Sequence, residues 1–262
     1  MKEVRSLKDI HQILLHIAIA FVEVCERHKI PYFMIGGTML GSIRHKGFIP
    51  WDDDMDFGVY SDDYDKLKMY LKRDLKAPYR CISFENCEYV KYPFFKVEDS
   101  STCVLDKTVD LPIEEMPGLN IDIFPIFPCK RKSLKNIRVF GMIKLVSFLY
   151  LESSENSKLK KSIRSLLRTI FYGLTKDKLL KRILGLAHSM TGDDKGNLFG
   201  RWKGKEIFPK NVYDALESYP FETTFFYGIK NFDFYLRQMY GDYMQLPQEN
   251  MRKAHIQNVF LK

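Results

Sequence analysis

Apolar positions near the start of the chain recur every three or four residues. Leu7, Ile10, Leu14, Ile17, Phe21, Val24 and Cys25 fall on one face, which predicts an amphipathic helix. Ser6, with Asp9 three positions later, forms a capping box at its start, and Pro31 sets its limit. Residues 32–35 are a short apolar run cut off by Gly36-Gly37, so a buried strand is expected there. Residues 38–45 can form a short helix with Gly47 as its terminator, followed by a loop over 48–53. Residues 55–60 alternate as a strand does, and Ser61 opens a helix running to about Leu75. Between 79 and 106 the runs 80–84, 89–97 and 102–105 read as strands separated by turn residues. A further strand spans 119–124 and is expected to end at Pro125 and Pro128.

Beyond that point the pattern changes. Residues 130–182 read as helical with a break at 153–157, then come a glycine-rich stretch over 192–204 and one clear helix near 231–240. The whole predicts an α/β (α+β) fold: a mixed-sheet core over 1–129, a basic helical insertion over 130–190, and a C-terminal helical part over 191–262 that completes the site.

Charge singles out the middle segment. Residues 130–182 hold 15 Lys/Arg against three acids, whereas the rest of the chain holds 26 basic and 30 acidic residues. The net +8 of the protein therefore belongs to one module. Its apolar run, residues 139–151, is 13 long and contains Lys144, short of the roughly 20 needed to span a bilayer. His11, Gln12, His16 and Glu23 interrupt the first apolar run, which excludes a signal peptide. The five cysteines lack any C-x-x-C pair, which argues against a disulfide framework or a zinc site and for a reducing compartment. A cytoplasmic protein is expected, either free or peripheral at the inner face of the membrane.

The chemistry concentrates in Pro50-Trp51-Asp52-Asp53-Asp54-Met55-Asp56. On a strand, Asp54 and Asp56 share a face. Two carboxylates flanked by apolar residues suit Mg2+ or Mn2+, and magnesium completes its coordination with water and substrate phosphates. Asp52 shares that parity only if the strand extends back through the loop. Upstream, Gly36-Gly37-Thr38 joins a strand to a helix, where backbone N–H groups can approach a phosphate. Asp122, alternating with apolar residues inside its strand, supplies a third carboxylate; an acid in that setting is otherwise expensive. This order of glycines, acidic pair and later acid is that of the nucleotidyltransferase fold.

The wording is closer still to one family. The run from Ile35-Gly36-Gly37-Thr38 through Arg44-His45-Lys46-Gly47 to Trp51-Asp52-Asp53-Asp54-Met55-Asp56 closely resembles the LicD family. That family includes bacterial phosphocholine transferases and, more distantly, fukutin-type ribitol-phosphate transferases. The resemblance resumes at Tyr92-Pro93-Phe94-Phe95-Lys96, at Ile121-Asp122-Ile123-Phe124-Pro125, and at Tyr240-Gly241-Asp242-Tyr243 with Arg252 and His255. Departures fall at Thr223, where the family tends to have Gly, and at Gln248, in place of a usual proline.

The resemblance implies transfer of a phosphorylated alcohol, phosphocholine first, from a CDP-alcohol donor to a hydroxyl of a cell-surface glycan or its lipid-linked precursor, with CMP released. It assigns Asp54, Asp56 and Asp122 to the metal, with Asp122 or Asp52 near the acceptor proton. Gly36, Gly37, Thr38, Arg44, Lys46 and Lys96 are assigned to the phosphates, with Arg252 and His255 on substrate. His45 and His255 are the histidines to weigh as bases, and Trp51 is a candidate wall for a choline head. Three alternatives stay open: nucleotidyl transfer on the same fold, nucleic-acid binding through the basic segment, and a degenerate scaffold. No nucleic acid is expected as partner, since the basic segment carries no recognition motif and the acids would go unexplained. The basic segment itself is either a dock for an anionic membrane or an ordinary solvated insertion.

Overall fold

A computed structural model describes residues 2–4, 6–105, 116–150, 158–170, 173, 175–252 and 259–262. In chain order the elements begin with β1 (Lys2–Val4), α1 (Leu7–Arg27), β2 (Tyr32–Met34), α2 (Gly36–His45), β3 (Asp56–Tyr60) and α3 (Ser61–Asp74). Next come β4 (Tyr79–Ile82), β5 (Phe95–Asp99), β6 (Thr102–Val104) and β7 (Asn120–Cys129). The helices α4 (Leu134–Tyr150), α5 (Lys158–Ile170) and α6 (Lys176–His188) follow. The chain finishes with β8 (Asp194–Asn197), β9 (Ile207–Pro209), α7 (Lys210–Tyr213), β10 (Leu216–Phe221), β11 (Thr224–Ile229), α8 (Phe232–Tyr240) and β12 (Val259–Leu261).

Nine strands form one mixed sheet, with the path β10-β11-β2-β3-β7-β5-β4 and β8 and β9 attached to β7. β3 and β7 pair in parallel while β2–β3 and β5–β7 are antiparallel. β1, β12 and β6 make a separate small sheet. The fold is thus α/β. The predicted face of α1 is the buried one: Ile10, Leu14, Ile17, Phe21, Val24 and Cys25 all lie in the core. The Ser6 hydroxyl accepts from the Asp9 N–H at 3.1 Å, closing the expected cap.

Three expectations are corrected. The strand holding Asp122 does not stop at Pro125; it continues through Pro128 to Cys129. Successive N–H groups of a strand point to opposite neighbours, and the Asp122 N–H donates to the Met55 carbonyl on the β3 side. Pro125 therefore lacks a donor on the other side, after pairing with β5 has ended at Ile123 and before pairing with β8 begins at Ile126. Pro128 lacks one on the β3 side, past Ile126, the last residue paired there. Both prolines sit where a partner strand has left. Second, the left-handed residue that ends α2 is Lys46 (φ 62°), not Gly47. Third, residues 191–262 are not mainly helical: beside α7 and α8 they hold five strands, and the β10–β11 hairpin extends the large sheet beyond β2. Among the described residues, no helix is long and apolar enough to cross a membrane.

Candidate active site

β2 ends at Met34, and the chain turns into α2 through Gly36, whose φ of +55° lies in the left-handed region that glycine tolerates. A Cβ on Gly36 would stand 3.0 Å from the Asp56 Oδ2, and one on Gly37 would stand 2.8 Å from the Asp52 Oδ2. The two glycines therefore let the helix start close against two carboxylates. The turn is fixed on both sides. The Thr38 hydroxyl accepts from the Asp56 N–H at 2.8 Å, and the Gly36 N–H donates to the Tyr235 hydroxyl at 2.9 Å.

Sheet register does the rest. Asp56 on β3 is the partner of Asp122 on β7, and Asp122 is the partner of Lys96 on β5. Cross-strand partners share a face and lie ~5 Å apart, so Asp56, Asp122 and Lys96 form one row across three strands. The Lys96 ammonium is 2.5 Å from the Asp122 Oδ1 and 3.0 Å from the Asn120 Oδ1. Lys96 and Asp122 remain 18% and 24% exposed, so the row is open to a substrate.

Electrostatics bind these groups into one unit. Burial pushes the Asp56 pKa well above the usual carboxylate range, and Asp54, Asp122, Asp52 and Glu206 add to it. Burial, then Asp54 and Asp53, push Asp52 up to about 7. Burial works against the Lys96 ammonium, but Asp122 outweighs it and the pKa rises. Carboxylates this close resist joint ionisation unless a cation lies among them. Asp52, Asp54 and Asp56 offer hard oxygens, the donor type that an ion of the magnesium class takes. Among the described residues, no three His, Cys, Asp or Glu side chains make a ready-made cage, and Asp122 is engaged by Lys96 instead.

Other expected residues are distributed unevenly. Asp54 does not share a strand with Asp56: β3 begins at Asp56, and Asp54 is exposed in the loop before it. Its charge still raises both neighbours. Arg44 is half-buried, donating to the Tyr243 carbonyl at 2.7 Å and to the His45 Nε2 at 2.9 Å. Burial, then Arg44, lower the His45 pKa, and a ring nitrogen that accepts from a guanidinium is not poised as a base towards the acids. Lys46 is corrected: it is exposed at the C-terminal end of α2, ~15 Å of helix from Gly36. The Arg252 guanidinium lies 5.2 Å from the centre of the Trp51 ring, and His45 meets that ring edge-on. Trp51 thus already faces a cation. His255 lies outside the described residues.

The sequence reading missed Glu206 and Tyr235, and it quoted Tyr240 only within the resemblance, without a role in the site. Glu206 is buried, accepts from the Trp202 N–H at 2.7 Å and is pushed up to about 7 by burial. Tyr235 holds Gly36, and Tyr240 is raised by burial, Tyr235 and Asp56. No local pattern marks Glu206 or Tyr235, because tertiary packing alone brings them to the glycine turn.

Residues 29–141 match a family model described as LicD/FKTN/FKRP, nucleotidyltransferase domain. Over 98% of both chains, the protein is 28% identical to the lipopolysaccharide cholinephosphotransferase LicD of Haemophilus influenzae. It is also 28% identical to the human ribitol 5-phosphate transferase FKRP, over 41% of this chain and 19% of that protein. An uncharacterised Rickettsia typhi protein is 28% identical over 52% of this chain. The matched segment contains the glycine turn, the acidic run, Lys96 and Asp122, so these residues lie within the part of the chain that is similar to that domain.

Proposed function

We propose that the protein is a phosphoryl-group transferase acting on a glycan, moving a phosphorylated alcohol, phosphocholine first, from a CDP-activated donor and releasing CMP. The observation that carries this reading is the row Asp56–Asp122–Lys96 set beside the Gly36-Gly37 turn. Similarity to a cholinephosphotransferase along the full chain supports the head group.

In this reading the pyrophosphate lies against the start of α2, where the glycines admit it. Magnesium or manganese held by Asp52, Asp54 and Asp56 would supply charge neutralisation at the pyrophosphate oxygens. Lys96 adds a fixed positive charge from the far side of the row. The acceptor hydroxyl oxygen bonds to the phosphorus that bears the alcohol, and the bond from that phosphorus to the CMP oxygen breaks, CMP leaving with the electron pair. The acceptor proton passes to a carboxylate of the cluster, Asp52 or Asp122. For the basic segment the proposal is contact with an anionic membrane surface, supported by Ile163 and Leu166 exposed on the lysine- and arginine-rich α5. Flotation with anionic vesicles at low salt tests that contact, and no binding removes it.

The test of the reaction is a donor screen with magnesium, following CMP release from CDP-choline, CDP-ethanolamine, CDP-ribitol and CDP-glycerol in the presence of a bacterial glycan extract. CMP from at least one donor is expected. Pyrophosphate released from CTP, with every CDP-alcohol left intact, would select nucleotidyl transfer instead.

A further inference from the structure

Next to the row lies a cavity of about 470 Å³ that the proposed reaction has not used. One wall is aromatic. Tyr92 and Phe94 stack at 5.2 Å with planes 15° apart, and Phe94 meets Phe124 at 4.3 Å. Phe124 is two residues beyond Asp122 on β7 and so shares its face, ~7 Å along the strand. The Lys96 ammonium stands 5.7 Å from the Phe94 ring. The cavity thus continues directly from the row.

The opposite rim is cationic. Lys144 comes from α4, in the basic segment, and meets Lys203 and Arg201 from the loop after β8. Lys144 and Lys203 stand close enough for the Lys144 charge to lower the Lys203 pKa. Lys203 also holds a positive φ of 52°, a conformation that a non-glycine residue adopts at a cost. Two exposed ammonium groups brought together, one on α4 and one on a strained loop, attract an anion between them.

The chemistry of the rim excludes a quaternary ammonium, because three cations oppose it. The cavity's Tyr92–Phe94 wall precedes β5, the strand that brings Lys96 to the end of the row away from the glycine turn, and its Phe124 lies on β7 beside Asp122. In-line displacement brings the acceptor to the phosphorus from the side opposite the leaving group. We propose that this cavity seats the acceptor, and that the acceptor is an anionic saccharide whose phosphate is held by Lys144, Lys203 and Arg201 while its ring packs on Tyr92, Phe94 and Phe124. The proposal rests on the transferase reading for the word acceptor, and it gives the basic segment a role in substrate binding.

Calorimetric titration of the full chain with magnesium tests it, using glucose 6-phosphate, glucose and CMP as probes. Glucose 6-phosphate is expected to bind at least about tenfold more tightly than glucose, and the double variant K144A/K203A to lose about tenfold or more of that affinity. CMP affinity should stay within about twofold in the variant. Absent or undiminished sugar-phosphate binding would overturn the proposal. So would a matching loss of CMP affinity, which would make the cavity the seat of the nucleotide. CMP release from CDP-choline, followed on the same samples, separates the two claims: release without sugar-phosphate binding sinks only this inference, and binding without release sinks only the transferase reading.

Discussion

The glycine turn with its three-strand row and the basic helical segment hold charge in opposite ways. In the first, carboxylates and one ammonium are fixed by register and half-buried, so each shifts its neighbour. In the second, most of the described lysines and arginines are exposed to solvent, and Lys144 lines the cavity beside the row. Clustered charge in a rigid, poorly solvated frame is what group transfer needs. Solvated charge on helices steers and docks. A single chain carries both, joined at Lys144.

The comparison can be broken at the row. Asp56→Asn should leave the fold intact and lower CMP release by ~10³-fold or more, since a ligand to a divalent ion contributes several kcal/mol at the transition state. Rates measured on a variant with an unchanged circular-dichroism spectrum check this. Lys96→Met should cost ~10²-fold, the scale of one fixed electrostatic group, and leave Asp122 facing Asp56 without its counter-ion. Substitutions of Lys178 or Lys181 on α6, in contrast, should leave the rate within about twofold, as solvated charges contribute little to a remote site. Steady-state kinetics of the three variants on one donor sets the two regions side by side.

The turn is a finer probe. Gly36→Ala places a methyl 3.0 Å from the Asp56 Oδ2 in a left-handed residue, a strain of ~1–2 kcal/mol. It should reduce activity by about tenfold and lower the denaturant midpoint.

The smallest expected effect concerns Glu206. Its folded pKa, raised to about 7 by burial, means that the native state favours the protonated form. Stability is therefore highest below the unfolded carboxylate value and is lost as pH rises towards 7. Glu206→Gln removes that penalty, so the variant should be close to wild type at pH 4 and more stable above pH 7 by ~1–2 kcal/mol. Urea unfolding at both pH values checks the sign.

Much of the site can be read directly from the chain because its local pattern and its chemistry coincide. Gly36-Gly37, the acids from Asp52 to Asp56, and Asp122 alternating with isoleucines each break a rule that an ordinary strand or turn obeys. Lys96 stands out in the same way, a lysine between Phe95 and Val97. What escaped depends on partners distant in sequence. β7 survives Pro125 and Pro128 because neighbouring strands end there, which no window around the prolines reveals. Glu206 and Tyr235 reach the turn through packing of the last seventy residues, whose strands are short and aromatic without clean alternation. Arg44 and Lys46 look equivalent two positions apart, yet the end of α2 turns one inwards and leaves the other in solvent.

The account stands or falls on a divalent ion held by the acids around Asp56. Uptake of Mn2+ followed by electron paramagnetic resonance, with CDP-choline present, measures this directly. One tightly held ion per chain is predicted for the wild type, and none for Asp56→Asn; an absent ion, or one held equally well by the variant, would contradict the assignment.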